Sequence, residues 1–162
     1  MIAPLGPDRT GGPRAPLRAA RPGKRFGIPV TAIAMSIRIV QLGRPRQPGE
    51  GLRIGTVRRP PRGVPKADFA RQDWYDVWFP ELAPSAETVS TGLSATTDKA
   101  WASFVRKYRR EMKAPASAHA LDLLAALSHQ ANVSVGCYCD TESRCHRSVL
   151  RELLLERGAR IA

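Results

Sequence analysis

A short window near the C-terminus, Gly136-Cys137-Tyr138-Cys139-Asp140-Thr141-Glu142-Ser143-Arg144-Cys145-His146-Arg147-Ser148, holds all three cysteines of the chain, one of its three histidines and two arginines. Three chemistries compete for it. In the first, Cys139 or Cys145 is a nucleophilic thiolate, His146 its base or orienting group, and Arg147 the holder of a phosphate or carboxylate. In the second, Cys137, Cys139, Cys145 and His146 supply four donors of the type that closes a zinc centre, although C-x-C-x5-C-H is not the usual knuckle spacing. In the third, Cys137 and Cys139 are small buried hydrophobes and His146 is a hydrogen-bonded core histidine. A tyrosine-phosphatase loop is disfavoured, because it needs an arginine six positions after its cysteine, whereas Arg144 and Arg147 follow Cys139 by five and eight.

The elements that must carry this window are a strand, a short loop and a helix. Residues 132–139 read as a strand, whose period of two puts Cys137 and Cys139 on one face and Tyr138 on the other. Residues 145–157 read as a helix with Val149, Leu150, Leu153 and Leu154 on one stripe, which turns His146 inward at its first turn. Gly158 is its C-terminal cap. The helix N-terminus, with Arg144 and Arg147 beside it, favours a thiolate at Cys145 and an anion in the turn.

Upstream, residues 37–40 and 52–57 are strand candidates separated by a Gly- and Pro-rich turn, which predicts a hairpin. Arg58-Arg59-Pro60-Pro61-Arg62-Gly63 is a loop, since consecutive prolines fit neither a helix interior nor a ladder. Residues 67–72 form one helical turn, 74–82 are extended, and Ser85 caps a short helix. Trp101, Val105, Tyr108 and Met112 recur at helical spacing over 97–113 with Thr97 or Thr96 as cap, and a further helix runs over 117–129. Trp74 and Trp78 read as core. Alternating helices and strands predict an α/β fold, a small single-domain Rossmann-like sheet, partly parallel, with flanking helices.

The chain has 162 residues and a formal charge of +12, with 26 Lys and Arg against 14 Asp and Glu. Residues 1–34 hold 11 of the 27 glycines and prolines and six basic residues against Asp8. They read as a disordered basic arm, with Met35 as a plausible native start. That arm carries +5, leaving +7 on residues 35–162. The remaining charge suits phosphorylated small molecules or, through Lys107, Arg109 and Arg110, nucleic acid. No stretch reaches the ~18 apolar residues of a membrane helix. Three clustered cysteines do not form a disulfide framework, and they point to a reducing, cytoplasmic compartment.

Arg58 with Pro61-Arg62-Gly63 and Asp68, Trp78 followed by Glu81 and Pro84-Ser85, then Trp101, Phe104 and Tyr108, and finally the Cys-His-Arg segment together resemble the YeaO-like bacterial family, domain of unknown function 488. The resemblance covers roughly residues 35–162 and implies a small α/β domain of unassigned function. Members often have Asp and Trp where this chain has Val57 and Pro60. Some lack the Cys-His-Arg segment, so the fold does not require it. Gly-Cys-Tyr-Cys is similar to a Gly-Cys-Trp-Cys segment of uncharacterised bacterial and phage proteins, a likeness that implies nucleotide-related chemistry.

The residues converge on one expectation. Arg58, Arg62, Gly63 and Arg147 form an anion clamp around a thiol centre of Cys139, Cys145 and His146. The rival placement pairs Arg58 and Arg62 with Asp68, Asp73 or Asp76 in surface salt bridges worth ~0 to 1 kcal/mol each. The functional expectation is a pocket for an anionic or nucleotide-like small molecule, with thiol-dependent catalysis. A nucleic-acid accessory module and a zinc-stabilised structural domain are the alternatives.

Overall fold

The computed structural model describes residues 35–162, so the expected N-terminal arm lies outside the described residues. Strands β1 (Ile37–Gln41), β2 (Leu52–Gly55), β3 (Val77–Trp78) and β4 (Val133–Cys137) form one sheet in the order β1-β4-β2-β3. Helices α1 (Ala86–Leu93), α2 (Asp98–Glu111) and α3 (Pro115–Leu127) precede β4, and α4 (His146–Leu155) follows it. Every pairing in the sheet is parallel. The α/β expectation therefore holds, with a sheet more uniformly parallel than predicted.

The predicted hairpin does not form. Val133 of β4 lies between Ile37 of β1 and Leu52 of β2, and Val135 between Ile39 and Ile54. All five residues of β4 are buried, and a strand apolar on both faces belongs at the centre of a parallel sheet. The link 42–51 then has to return along the sheet. Ten residues can span ~33 Å, twice the ~16 Å length of a five-residue strand, so no crossover helix is needed.

The returning link is anchored by a buried ion pair. Glu50 and Arg53 are 2 % and 1 % exposed, and Arg53 Nη2 donates to Glu50 Oε2 at 2.8 Å. Ser134 Oγ on β4 donates to the same carboxylate at 2.9 Å, while Arg53 Nη1 reaches the Arg44 carbonyl at 2.9 Å. Burial pushes the Glu50 carboxyl up, but hydrogen bonds led by Arg53 more than offset it and leave its pKa below the usual range. On the opposite face, Ile37, Ile54, Val133 and Val135 pack with Phe104, Tyr108, Leu121, Leu124 and Leu150 to form the main core.

Local signals set the helix ends. Ser85 and Thr97 accept from the backbone N–H groups of Thr88 and Ala100, as caps do. Past α4, Ala159 N bonds Leu154 O and Gly158 N bonds Leu155 O, a Schellman ending around Gly158 at φ 77°. The chain then adds Ile161 to the free edge of β1 in a parallel bridge that the sequence pattern does not predict.

Because removing one member strands a buried charge, Glu50→Ala is expected to cost about 3–5 kcal/mol in urea unfolding. The double change Glu50→Leu with Arg53→Met should cost less than that single substitution. If Glu50→Ala shifts the midpoint no more than a surface substitution does, the anchoring role is wrong.

Candidate functional site

The cysteine turn sits at the carboxyl end of the central strand, where ligands collect in open α/β sheets. Strand β4 stops at Cys137, two residues short of the predicted end, and a 3-10 turn at Glu142–Arg144 leads into Cys145, the N-cap residue of α4. Ser148 closes the first turn by bonding the Cys145 carbonyl through both N and Oγ. Gln41 Nε2 on β1 steadies the loop by donating to Asp140 Oδ1 at 2.7 Å.

This path brings the three sulfurs together. Cys137 Sγ lies 3.7 Å from Cys139 Sγ, and all three Sγ atoms fall within 4.8 Å of one another. Cys137 and Cys145 are buried whereas Cys139 is exposed. His146 points inward as expected, 6 % exposed. Its Nε2 is 2.8 Å from the Thr56 carbonyl. A carbonyl only accepts, so Nε2 carries a proton, and in the neutral ring Nδ1 presents its lone pair to Cys145 Sγ at 3.7 Å. His146 is therefore outside the sulfur trio, and the four-donor zinc set reduces to Cys137, Cys139 and Cys145.

The three thiols divide their protons unequally. Hydrogen bonds from Cys137 first and Cys145 second, with the charge of Arg147, outweigh burial and hold the Cys139 thiol at a pKa of about 3. Cys137 moves the other way, because it donates to its neighbours and is buried. Cys145 is lowered, chiefly by Cys137 and further by His146, although Cys139 and burial oppose this. The cluster thus favours the proton on Cys137 and the thiolate on Cys139.

That thiolate faces a cleft of about 590 Å³, which Arg58, Arg59, Arg62 and Arg144 line together with Cys139, Cys145 and His146. Phe104, Val89 and Leu93 contribute an apolar wall. Trp101 stacks on Phe104 with ring centroids 4.6 Å apart and lies under the Arg144 guanidinium.

The predicted clamp is only partly assembled here. Arg58 lines the cleft but is committed to the carbonyls of Pro84 and Ala83, at 3.0 and 2.9 Å. Asp73 and Asp76 pair with Arg46 and Asp68 with Arg71, so the surface salt bridges considered for Arg58 and Arg62 do not form. Arg62 is exposed and lines the cleft. Gly63 makes a left-handed turn at φ 72° and is not among the lining residues. Arg147 lies behind the cleft, 3 % exposed, with Nη2 on the Cys139 carbonyl and Nε without a partner among the described residues.

Sequence reasoning missed Arg59, Trp101, Phe104 and Thr56. Arg59 adjoins Arg58 and was within reach. Trp101 and Phe104 carried only a core signal, and nothing local marks Thr56. Trp78, expected in the core, is 44 % exposed with Nε1 donating to the Val57 carbonyl at 2.8 Å. In the basic face of α2, Lys107 pairs with Glu87 and Arg109 with Glu152 and Glu156.

A family model described as DUF488-N3a, the active DUF488-N3 subclade, matches residues 37–158. The chain belongs to this family. The match runs from the first residue of β1 through the Schellman glycine after α4, and so takes in every strand and helix described above. It bears out the resemblance to YeaO-like DUF488 proteins. No curated protein and no solved structure matches the chain. No helix of the described residues of this DUF488-N3a protein is long and apolar enough to cross a membrane.

Replacing the buried guanidinium by a neutral chain should raise the pH at which the Cys139 thiolate forms by about one to three pH units in Arg147→Met. Arg147→Lys should raise it less. Ultraviolet thiolate absorbance across a pH titration reads the change, and an unshifted titration in Arg147→Met would remove Arg147 from this role.

Proposed function

We propose that this DUF488-N3a protein is a thiol-dependent enzyme acting on an anionic, nucleotide-sized small molecule, with Cys139 as nucleophile. The observation that carries the reading is Cys139, an exposed residue lining the cleft, with two further thiol sulfurs within 4.8 Å of its own and the buried Arg147 on its carbonyl. A thiolate, rather than a thiol, attacks electrophilic centres. Arg59 and Arg62 are exposed at the same cleft and make no side-chain hydrogen bond or ion pair with any described residue, so they are available for phosphate or carboxylate. The volume falls within the range of small-molecule sites, and the wall with Trp101 suits a planar group. His146 acts through Cys145 as base, its tautomer set by Thr56. The family description as an active subclade supports catalysis, and a cytoplasmic, reducing compartment would keep the thiols free. Nucleic acid is the alternative anionic partner for the same arginines.

A second reading rests on the sulfur spacing. Two thiolates ~2.3 Å from a tetrahedral zinc lie ~3.8 Å apart, and Cys137 and Cys139 are 3.7 Å apart. Cys137, Cys139 and Cys145 would hold the ion, which would supply Lewis-acid chemistry or structural closure there.

Iodoacetamide at about pH 5 is expected to label Cys139 alone, and Cys139→Ser to abolish that labelling. Arg59→Ala and Arg62→Ala should each weaken binding of a fluorescent nucleotide about tenfold. Slow, equal labelling of all three cysteines only above about pH 8 overturns the nucleophile. Equimolar zinc by elemental analysis, with labelling restored by a chelator, decides for the second reading. Oligonucleotide binding that falls steeply with salt while mononucleotides do not bind decides for nucleic acid.

A further inference from the structure

A single sulfur is sufficient for attack on an acyl, alkyl or phosphoryl centre, so two additional thiols at the reacting atom call for their own account. Cys137 and Cys145 are 7 % and 2 % exposed. Buried at that depth, they meet mainly what Cys139 already carries. All three sulfurs stand within 4.8 Å of one another, so a bond of about 2.05 Å calls for an approach of less than about 3 Å. The two inner thiols differ in freedom. Cys137 is locked in the central strand, registered against Gln41 and bonded through its carbonyl to Leu42 N at 2.9 Å. Cys145 is joined to Cys139 by residues 140–144, which belong to no strand and contain one 3-10 turn, and its sulfur lies 3.7 Å from His146 Nδ1.

We infer that Cys139 and Cys145 work as a dithiol pair that reduces an electrophilic sulfur, a disulfide or persulfide, on an anionic molecule held in the cleft. The inference rests on the reading of Cys139 as nucleophile and adds the substrate class. In the first step Cys139 Sγ⁻ attacks one sulfur of R–S–S–R′, the S–S bond breaks and R′S⁻ leaves, giving Cys139–S–S–R. In the second, Cys145 passes its proton to His146 Nδ1 and its thiolate attacks Cys139 Sγ. The Cys139–Cys145 bond forms, the bond to the substrate sulfur breaks and RS⁻ departs. The substrate gains two electrons and the cysteine pair loses two. A small dithiol or low-molecular-weight thiol, the co-reductant, restores the pair by the same exchange. Cys137 is not consumed; it donates a hydrogen bond to the attacking sulfur.

The probe is dithiobis(nitrobenzoate), an aromatic disulfide that carries carboxylates. The reduced full-length chain should release two nitrothiophenolates in succession from this cleft, and peptide mass mapping should find a Cys139–Cys145 disulfide. Cys145→Ser should release one and retain the aryl adduct on Cys139, whereas Cys137→Ser should release two but more slowly, since Cys137 supports the attacking sulfur without being consumed. A wild-type chain that stops at a stable adduct on Cys139 overturns the relay while leaving the nucleophile intact. So does a mapped Cys137–Cys139 disulfide, which assigns the second step elsewhere. Absence of any fast release from Cys139 overturns both the relay and the reading beneath it. The mapping on the unsubstituted chain decides the matter whether or not the variants fold.

Discussion

The hydrogen bond from His146 Nε2 to the carbonyl of Thr56 is the joint on which the site depends. Thr56 follows β2, and its own N and Oγ1 both bond the Gly136 carbonyl of β4, at 3.0 and 2.9 Å. One residue therefore links the ends of two strands to the first turn of α4. The bond also decides which imidazole nitrogen bears the proton, and so which one Cys145 meets. Packing brings the histidine there: Val149, Leu150 and Leu153 press α4 onto the core, and Tyr108 meets the ring edge-on at 5.6 Å. Tyr108 is in turn held by its hydroxyl donating to the Leu82 carbonyl at 2.7 Å, so α2 and the segment before α1 share in placing the base.

The all-parallel sheet makes this joint useful. Parallel strands end on one edge, so the β2 exit loop and the β4 exit loop must open beside each other once β4 lies next to β2. The loop after β2 carries Arg58, Arg59 and Arg62, and the loop after β4 carries Cys139 and Arg144. Arg58 spends its guanidinium on the Ala83 and Pro84 carbonyls, which pins its loop to the segment leading into α1. The apolar wall of the cleft comes from α1 and α2 on the other side. Fixing Arg58 in this way leaves Arg59 and Arg62 facing the cleft from a chain stiffened by Pro60 and Pro61.

Much of the turn was legible because its determinants are local. A period of two aligned Cys137 with Cys139, the apolar stripe of α4 turned His146 inward, and Ser85, Thr97 and Gly158 marked helix ends by their own backbone bonding. Strand order was not legible. The Gly- and Pro-rich link 42–51 signals a reversal of direction but not which strand receives the chain, and β4, about eighty residues later in sequence, takes the place a hairpin would have used. Thr56 has no signature outside that topology. Trp101 and Phe104 lie on the buried stripe of an amphipathic helix, and periodicity cannot say that one end of such a stripe borders a cleft. Residue type alone makes Arg147 an anion ligand, yet its burial beneath the Cys139 carbonyl makes it a support for the thiolate.

A guanidinium buried without a carboxylate among the described residues needs a compensating negative charge close by. Among the described residues Arg147 bonds only the Cys139 carbonyl, and its charge lowers the Cys139 thiol, so the cysteine cluster can supply that negative charge. A metal-free cluster supplies it through Cys139, with Cys137 keeping its proton as donor. Three thiolates around a zinc ion would also leave one net negative charge beside Arg147, so the arginine is satisfied by either occupant. The two differ at Cys137: the thiol relay needs its proton in place, whereas metal ligation requires that proton to leave. Cys137, the thiol whose pKa is raised, rather than the exposed Cys139, therefore separates catalysis by thiol from chemistry at a metal.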